Sequence, residues 1–126
     1  MVTKRIDMAL HVQEVCAALN IRVQFQPSAD QVPNYWARPS ARVIQIRPTR
    51  NTGHYVSALH EIGHIVWHDR GGRCSHVQSE LNAWIWAREE ALVWTATADR
   101  IMRRCMDSYG WEQLHKDQWA ARFPNG

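Results

Sequence analysis

The sequence predicts a small α+β domain in which a three-stranded meander sheet packs against helices. Three observations predict it: apolar residues recur at helical spacing near both ends, short runs alternate apolar with polar residues after the first helical segment, and proline or glycine separates the segments. A length of 126 residues suits one domain, and 45% hydrophobic residues with seven tryptophans can fill its core. We therefore expect residues 1–126 to form a single domain in the order α-β-β-β-α-α-α.

The N-terminal part is predicted to supply one helix and the whole sheet. Residues 4–20 place seven apolar side chains on one helical face: Ile6, Ala9, Leu10, Val12, Val15, Cys16 and Leu19. The stretch IRVQFQ (21–26) alternates apolar with polar residues, which predicts a strand with one buried face. Two further strands, at 34–38 and 41–47, are predicted to form a hairpin around Pro39 and Ser40.

The rest of the chain is predicted to be helical. Asn51 or Thr52 can cap a helix that runs to about Asp69. Ser75 begins a capping-box pattern, which predicts the start of a long helix that continues to about Asp107 with a bend near WTATAD. The last segment, WEQLHKDQWAARF, predicts a short final helix. We expect the sheet to pack against the helix that carries HEIGH (60–64) and against the long helix that carries Glu80.

Composition and charge exclude several classes of protein. No stretch approaches the roughly 20 consecutive apolar residues of a membrane span. Asp7 and Glu14 interrupt the segment that a signal peptide would keep apolar. Three cysteines are an odd and sparse set, which favours reduced thiols over a disulfide framework. We therefore expect a cytoplasmic protein with no membrane partner.

The stretch SALHEIGHIVWHD (57–69) carries the strongest functional signal. On a helix, His60 and His64 lie one turn apart on one face, so both imidazoles can bind one metal ion. Glu61 lies about 100° further around the axis, beside the metal rather than on it. This H-E-x-x-H arrangement is typical of zinc proteases, in which the metal acidifies a water molecule and the glutamate accepts its proton. The sequence predicts Zn²⁺ bound by His60 and His64, with Glu61 as the catalytic base.

The residues around this motif predict a packed helix. Leu59, Ile62, Val66 and Trp67 form an apolar stripe. Gly63 costs about 1 kcal/mol in a helix interior relative to alanine. Close approach of another backbone would explain why a glycine occupies this position.

Glu80 is the predicted third metal ligand. A metzincin-like site requires a histidine ten residues after His60, and Arg70 occupies that position. Glu80 lies one turn inside the long helix and shares a face with Ala83 and Trp84, where an unpaired carboxylate would be costly. A gluzincin-like set of two histidines and one glutamate is therefore expected. The alternative for Glu80 is an acidic residue that the helix dipole stabilises.

Three other residues are candidates to contact the ligands or the oxyanion. His76 and Tyr55 could each donate a hydrogen bond to the oxyanion that forms during attack. His68 lies one turn beyond the second histidine of the motif, either as an alternative ligand or as an exposed residue at the helix end. His11 and His115 are predicted to be ordinary surface residues.

The residues around both motifs resemble one known family. RVIQIRPTRNTGHYVSALHEIGHIVWH (42–68), followed by SELNAWIWAREEAL (79–92), looks like the ImmA/IrrE family of bacterial and phage zinc metallopeptidases. The family pattern is a strand, a short loop, a helix bearing H-E-[LI]-[GA]-H and then a helix bearing E-x-x-A-x-x-[FW]-A. The last element corresponds here to Glu80, Ala83, Trp86 and Ala87.

The resemblance implies a zincin-like minimal domain in which His60, His64 and Glu80 bind zinc and Glu61 is the base. Similar members often cleave a helix-turn-helix repressor, so the implied substrate is a protein or peptide, with a transcriptional regulator as one option. Family members commonly end the glutamate helix with a Leu-Met-Pro-like segment, whereas this chain continues EALVWTATADRIM without proline.

Two other functions stay open from the sequence, as does the oligomeric state. A metal-stabilised module could bind protein without cleaving it, for example as a phage protein that docks on a host factor. Nucleic-acid binding through Arg100, Arg103 and Arg104 is less favoured, because thirteen arginines and a net charge of +3 occur without a long basic run.

Overall fold

The computed structural model describes residues 7–26 and 32–124. These residues form a small α+β structure, as predicted. Its elements are α1 (Met8–Ala18), β1 (Arg22–Phe25), β2 (Trp36–Arg38), a 3-10 turn (Pro39–Ala41), β3 (Val43–Ile46), α2 (Thr52–Asp69), α3 (His76–Glu90), α4 (Ala96–Ser108) and α5 (Gln113–Arg122). Residues 4–6 of the predicted first helix lie outside the described residues.

The sheet is mixed, so the prediction of a meander is wrong. The strand order is β1-β3-β2, with β3 parallel to β1 and antiparallel to β2. All four residues of β3 are buried, whereas β1 and β2 each expose at least one residue. The nearly continuous apolar run VIQI therefore occupies the centre of the sheet, where strands are covered on both faces.

The predicted hairpin is confirmed, with strands shorter than expected. Between β2 and β3 the chain makes the 3-10 turn and then places Arg42 in the left-handed region, at φ 53°. The Arg42 side chain donates to the backbone oxygen of Asn20, and it pairs with Asp69 at 2.8 Å. This contact joins the hairpin to the end of α2 and neutralises the Asp69 carboxylate.

The predicted long helix is two helices, α3 and α4, so that prediction is wrong between residues 91 and 95. The Thr95 hydroxyl accepts a hydrogen bond from the Ala98 backbone N–H at 3.1 Å and caps α4. Threonine favours this position because its hydroxyl satisfies a backbone donor that a helix start leaves unpaired. In the link, the Leu92 N–H donates to the Tyr55 hydroxyl at 3.0 Å, which fixes the extended chain on α2.

α2 lies at the centre of the molecule and packs against α1, α3, α4 and the sheet. Asn51 caps it, as predicted, by accepting a hydrogen bond from the His54 N–H at 2.8 Å. At Gly63 a Cβ atom would lie 2.5 Å from the Ala83 carbonyl oxygen and 3.0 Å from the Ala83 Cα. The predicted close approach of another backbone at this glycine is confirmed, and that backbone belongs to α3.

Neither His11 nor His115 is an ordinary surface residue, so both predictions are wrong. His11 shares a hydrogen bond of 2.6 Å with the Tyr55 hydroxyl and lies 3.3 Å from a Glu90 carboxylate oxygen. The His115 side chain is only 7% exposed, and its Nδ1 accepts a hydrogen bond from the Glu112 N–H at the start of α5. His11 is half-buried and His115 is buried, and each has a polar partner contributed by a neighbouring element or turn.

A membrane could not be crossed by any helix among the described residues, because none combines the required length with a sufficiently apolar sequence.

Candidate metal centre

α2 and α3 bring His60, His64 and Glu80 together. His60 Nε2 lies 3.7 Å from one Glu80 carboxylate oxygen, and His64 Nε2 lies 2.5 Å from the other. The centroids of the two imidazole rings are 4.7 Å apart. His60 and Glu80 are 8% and 4% exposed. The three predicted ligands therefore converge on one partly enclosed point.

The convergence follows from local sequence and one backbone contact. The four-residue spacing puts His60 and His64 on one face of α2. The Ser75 hydroxyl caps α3 by accepting from the Gln78 N–H at 3.2 Å, which sets Glu80 one turn inside that helix. The contact at Gly63 then holds α3 close enough for its glutamate to reach both imidazoles.

Trp84 holds the first histidine in place. Its ring stacks on the His60 ring with centroids 4.1 Å apart and an interplanar angle of 9°. Trp84 is four residues after Glu80, so one face of α3 supplies both the carboxylate and the stacking ring. The sequence predicts Trp84 only as a core residue, although its spacing from Glu80 is the signal that could have placed it here.

Burial and neighbouring charges set the ionisation of the three predicted ligands. Burial lowers the pKa of His60 to about 3. The His64 charge also lowers this pKa, whereas the Glu80 charge raises it. Burial also acts to lower the pKa of His64, but its hydrogen bond to Glu80 and the charges of Glu80 and Glu61 raise it overall. For Glu80, burial is outweighed by the two histidines and the Tyr109 hydroxyl, so its pKa is lowered. At neutral pH the His60 imidazole is therefore uncharged, as a metal ligand must be, and the Glu80 carboxylate beside it is ionised.

Glu61 lies next to these residues but has different contacts. Its side chain is 6% exposed, and its Oε2 has no hydrogen-bond partner among the described residues. Burial raises the pKa of Glu61 to about 7. The Glu80 charge also raises this pKa, whereas the His64 charge lowers it. Side-chain donor atoms of His60, Glu61 and His64 all lie within 4.8 Å of one another.

Glu80 is the better ligand of the two carboxylates, because it reaches both imidazoles at 3.7 Å or less while Glu61 makes no ion pair with either among the described residues. His60 Nε2 is buried and has no hydrogen-bond partner among those residues. A buried imidazole nitrogen without a partner is costly, and a metal ion would satisfy it. Two imidazole nitrogens and one carboxylate form a donor set that zinc accepts in sites with an open position. The residues present therefore fit a metal ion.

The centre opens into a cleft of about 700 Å³. Residues from the start of β2 form one wall of it, and residues from the end of α2 with the loop that follows form another. Among the described residues β2 pairs with β3 alone, so it is an edge strand. The cleft is lined by Tyr35, Trp36, Ala37, Pro39, Glu61, His64, Trp67, His68, Gly72, Arg73, Cys74, His76, Ser79, Glu80, Asn82 and Tyr109.

Of the three additional candidates, two line the cleft and one does not. His68 and His76 are both exposed in its lining. Tyr55 is fully buried away from it, and its hydroxyl binds His11 and accepts from the Leu92 N–H. The prediction that Tyr55 contacts the oxyanion is therefore wrong, because its hydroxyl is engaged in joining α2 to α1 and to the link after α3.

Tyr109, which follows α4, is a cleft residue that the sequence did not predict. Its hydroxyl lies near Glu80 and contributes to lowering the pKa of that carboxyl, and its ring makes an edge-on contact with His76 at 5.0 Å between centroids. Burial and the Glu80 charge raise the pKa of Tyr109 to about 12, so the hydroxyl keeps its proton at neutral pH. No spacing rule connects Tyr109 to the motifs, because tertiary packing alone brings the end of α4 to the cleft.

No protein-family model matches the sequence, and comparisons with curated proteins and with solved structures find no match for it.

Proposed function

We propose that the protein is a zinc-dependent metalloendopeptidase of the ImmA/IrrE type that its motifs resemble. The observation that carries the proposal is the convergence of His60, His64 and Glu80 at a cleft, with the Glu61 carboxylate beside them. In the proposal the first three residues hold the metal, which when bound supplies acidification of water and polarisation of the scissile carbonyl. This ligand set is gluzincin-like.

Each nearby side chain has a distinct role in this proposal. Glu61 takes a proton at Oε2 and later delivers it to the leaving amine, because this oxygen is buried and has no other hydrogen-bond partner among the described residues. Tyr109 lies beside Glu80, where its protonated hydroxyl can orient the carboxylate, as the partners of metal ligands commonly do. Trp84 fixes the plane of His60. His76 lines the cleft, where it can donate to the oxyanion.

A peptide substrate fits the walls of the cleft. The edge strand β2 borders it, and an extended peptide can bind such an edge through backbone hydrogen bonds. The aromatic rings of Tyr35, Trp36 and Trp67 supply apolar contact area for side chains. We take the substrate to be a protein in the cytoplasm, since all three cysteines are unpaired, and a transcriptional regulator agrees with the resemblance.

The placement of Glu61 weighs against the alternative of a non-catalytic binding module. A metal that only stabilises the fold needs its ligands and nothing else. A second buried carboxylate with an unpartnered oxygen beside them is costly, and a proton acceptor in a reaction gives it a use.

The first experiment measures zinc content and proteolysis in the same preparations. We expect about one zinc per chain by elemental analysis, lost in His60→Ala and His64→Ala. Glu61→Gln should keep the metal and lose cleavage of an unfolded protein substrate. Glu89→Gln is the matched control, because within the described part of the chain this exposed α3 glutamate pairs with Arg122 alone, at the surface. An active Glu61→Gln protein would refute the assigned base.

A second experiment separates the enzyme from the binding module. Zinc-loaded Glu61→Gln and wild-type proteins are each incubated with lysate, and the captured partners are compared. A partner that the variant holds intact and the wild type cuts supports the enzyme. A partner that both hold intact supports the module instead.

A further inference from the structure

Negative charge in the cleft is confined to the site of the proposed metal. Glu61 and Glu80 are the acidic residues among the side chains that line it, and both are buried. Arg73 lines the same cleft, with the histidines at 68 and 76. The accessible part of the lining therefore carries positive charge and no carboxylate.

Two further arginines lie on the aromatic rings of the cleft walls. The Arg38 guanidinium carbon is 4.4 Å from the centroid of the Trp36 ring, on the β2 wall. On the wall formed by the end of α2, the Arg70 guanidinium carbon is 4.6 Å from the centroid of the Trp67 ring. A guanidinium that stacks on a ring keeps its N–H donors available in its own plane, where they match the two oxygens of a carboxylate.

No acidic side chain within residues 7–26 and 32–124 pairs with Arg38, Arg70 or Arg73. Asp69, which immediately precedes Arg70, pairs instead with Arg42 at 2.8 Å. The three arginines on the two walls are exposed. Their donors are thus available to a ligand from outside this part of the chain.

We propose that this cleft selects acidic peptides, with aspartate or glutamate side chains on both sides of the bond that is cleaved. One carboxylate binds Arg38 on the β2 wall, and another binds Arg70 or Arg73 on the wall formed by the end of α2 and the loop that follows it. The peptide backbone between them is neutral where it passes the buried glutamates. This inference rests on the proposed function, because it takes the cleft as the site of the peptide.

A nucleic acid is the less suitable anion for this arrangement. Its backbone carries a negative charge at every nucleotide. The exposed cations here are separate guanidiniums stacked on Trp36 and Trp67, not a continuous basic track. Side-chain carboxylates of a peptide can reach such separated guanidiniums, whereas a nucleic-acid backbone would leave most of its phosphates without a cation.

The test measures binding without cleavage. Zinc-loaded Glu61→Gln protein is titrated with labelled peptides of one sequence in which the flanking residues are glutamate, glutamine or lysine. We expect the glutamate peptide to bind most tightly, and its advantage to shrink with added salt. Each of the substitutions Arg38→Glu, Arg70→Glu and Arg73→Glu should weaken binding of the glutamate peptide by about threefold to tenfold. This is the effect expected when the sign of one charge in an exposed pair is reversed.

Arg104→Glu is the matched control, because it changes the net charge equally at an exposed α4 residue outside the cleft lining. Circular dichroism confirms that each variant is folded. Equal affinity for the glutamate and glutamine peptides, or equal weakening by Arg104→Glu, would overturn the inference. Tighter binding of a single-stranded oligonucleotide of the same charge would overturn it in favour of nucleic acid.

Wild-type protein separates this inference from the proposed function. If the glutamate peptide binds selectively but wild type leaves it intact, the acidic selectivity is supported while the peptidase is refuted. If wild type cleaves all three peptides at the same rate, the selectivity is overturned and the peptidase stands.

Discussion

Gly63→Ala is expected to weaken zinc binding by more than it destabilises the fold. The added Cβ would lie 2.5 Å from the Ala83 carbonyl oxygen, and ordinary contact begins at 3.4 Å, so α3 must move by about 0.9 Å. Overpacking of this kind costs about 1–3 kcal/mol, and alanine returns about 1 kcal/mol of helix propensity. The expected net loss in free energy of unfolding is therefore about 0–2 kcal/mol.

Zinc affinity should respond more strongly, because Glu80 is three residues before Ala83 on the displaced helix. Functional groups must be held within about 0.5 Å of their working positions, so a shift of about 0.9 Å exceeds the tolerance. We expect affinity to fall by about 10–100-fold, the loss typical when a residue supporting a metal ligand is changed.

The assay is competition for zinc against a chromogenic chelator, with urea unfolding in EDTA to measure the metal-free fold. Gly72→Ala is the control, because a Cβ at this loop glycine meets nothing within 4 Å. Unchanged zinc affinity in a Gly63→Ala protein of unchanged or increased stability would refute the argument that the glycine sets the position of α3.

Three other predictions follow from individual contacts. Trp84→Leu removes the ring stacked on His60 and should lower zinc affinity by about tenfold in the chelator assay, while Trp84→Phe should restore most of it. Tyr55→Phe leaves the Leu92 N–H without its acceptor and should cost about 1–3 kcal/mol in urea unfolding; a loss below about 0.5 kcal/mol would contradict this. Burial raises the pKa of Cys16 from 9.0 to about 11, so the neutral thiol stabilises the fold below pH 9 and this contribution is lost as pH rises through 11. Cys16→Ala should therefore show a shallower fall in unfolding free energy between pH 9 and 11, and identical slopes would count against it.

The parts of the site that depend on spacing within one helix could be predicted from sequence. His60, Glu61 and His64 occupy one turn of α2, and helical geometry alone fixes their relative positions. The caps at Asn51 and Ser75 were also predictable, because each cap satisfies a backbone donor a few residues away. The costly glycine in α2 indicated a backbone contact, although sequence could not say which segment makes it.

Features that depend on distant segments could not be predicted in this way. β3 lies between β1 and β2 because it is the most thoroughly buried strand, and hairpin rules say nothing about which edge β1 will pair with. His11 and Tyr55 form a hydrogen bond across 44 positions of sequence. Tyr109 reaches Glu80 only after α4 has packed on α2. Each of these contacts requires the tertiary arrangement before its chemistry can be recognised.

The two glutamates of the centre differ in their contacts, and the difference fits the proposed roles of ligand and base. Both are buried, and both lie close to the same imidazoles. Glu80 forms an ion pair with His64 at 2.5 Å and has the Tyr109 hydroxyl nearby, so its carboxylate has little freedom to exchange protons with a substrate. Glu61 has an oxygen with no partner among the described residues, on the helix that carries both histidines. A carboxylate that is positioned by the helix but not occupied by a hydrogen bond is what a proton acceptor requires, since any fixed partner would compete with the substrate for it. The difference in partners, rather than the presence of the motif, is therefore the physical reason to assign proton transfer to Glu61 and metal binding to Glu80.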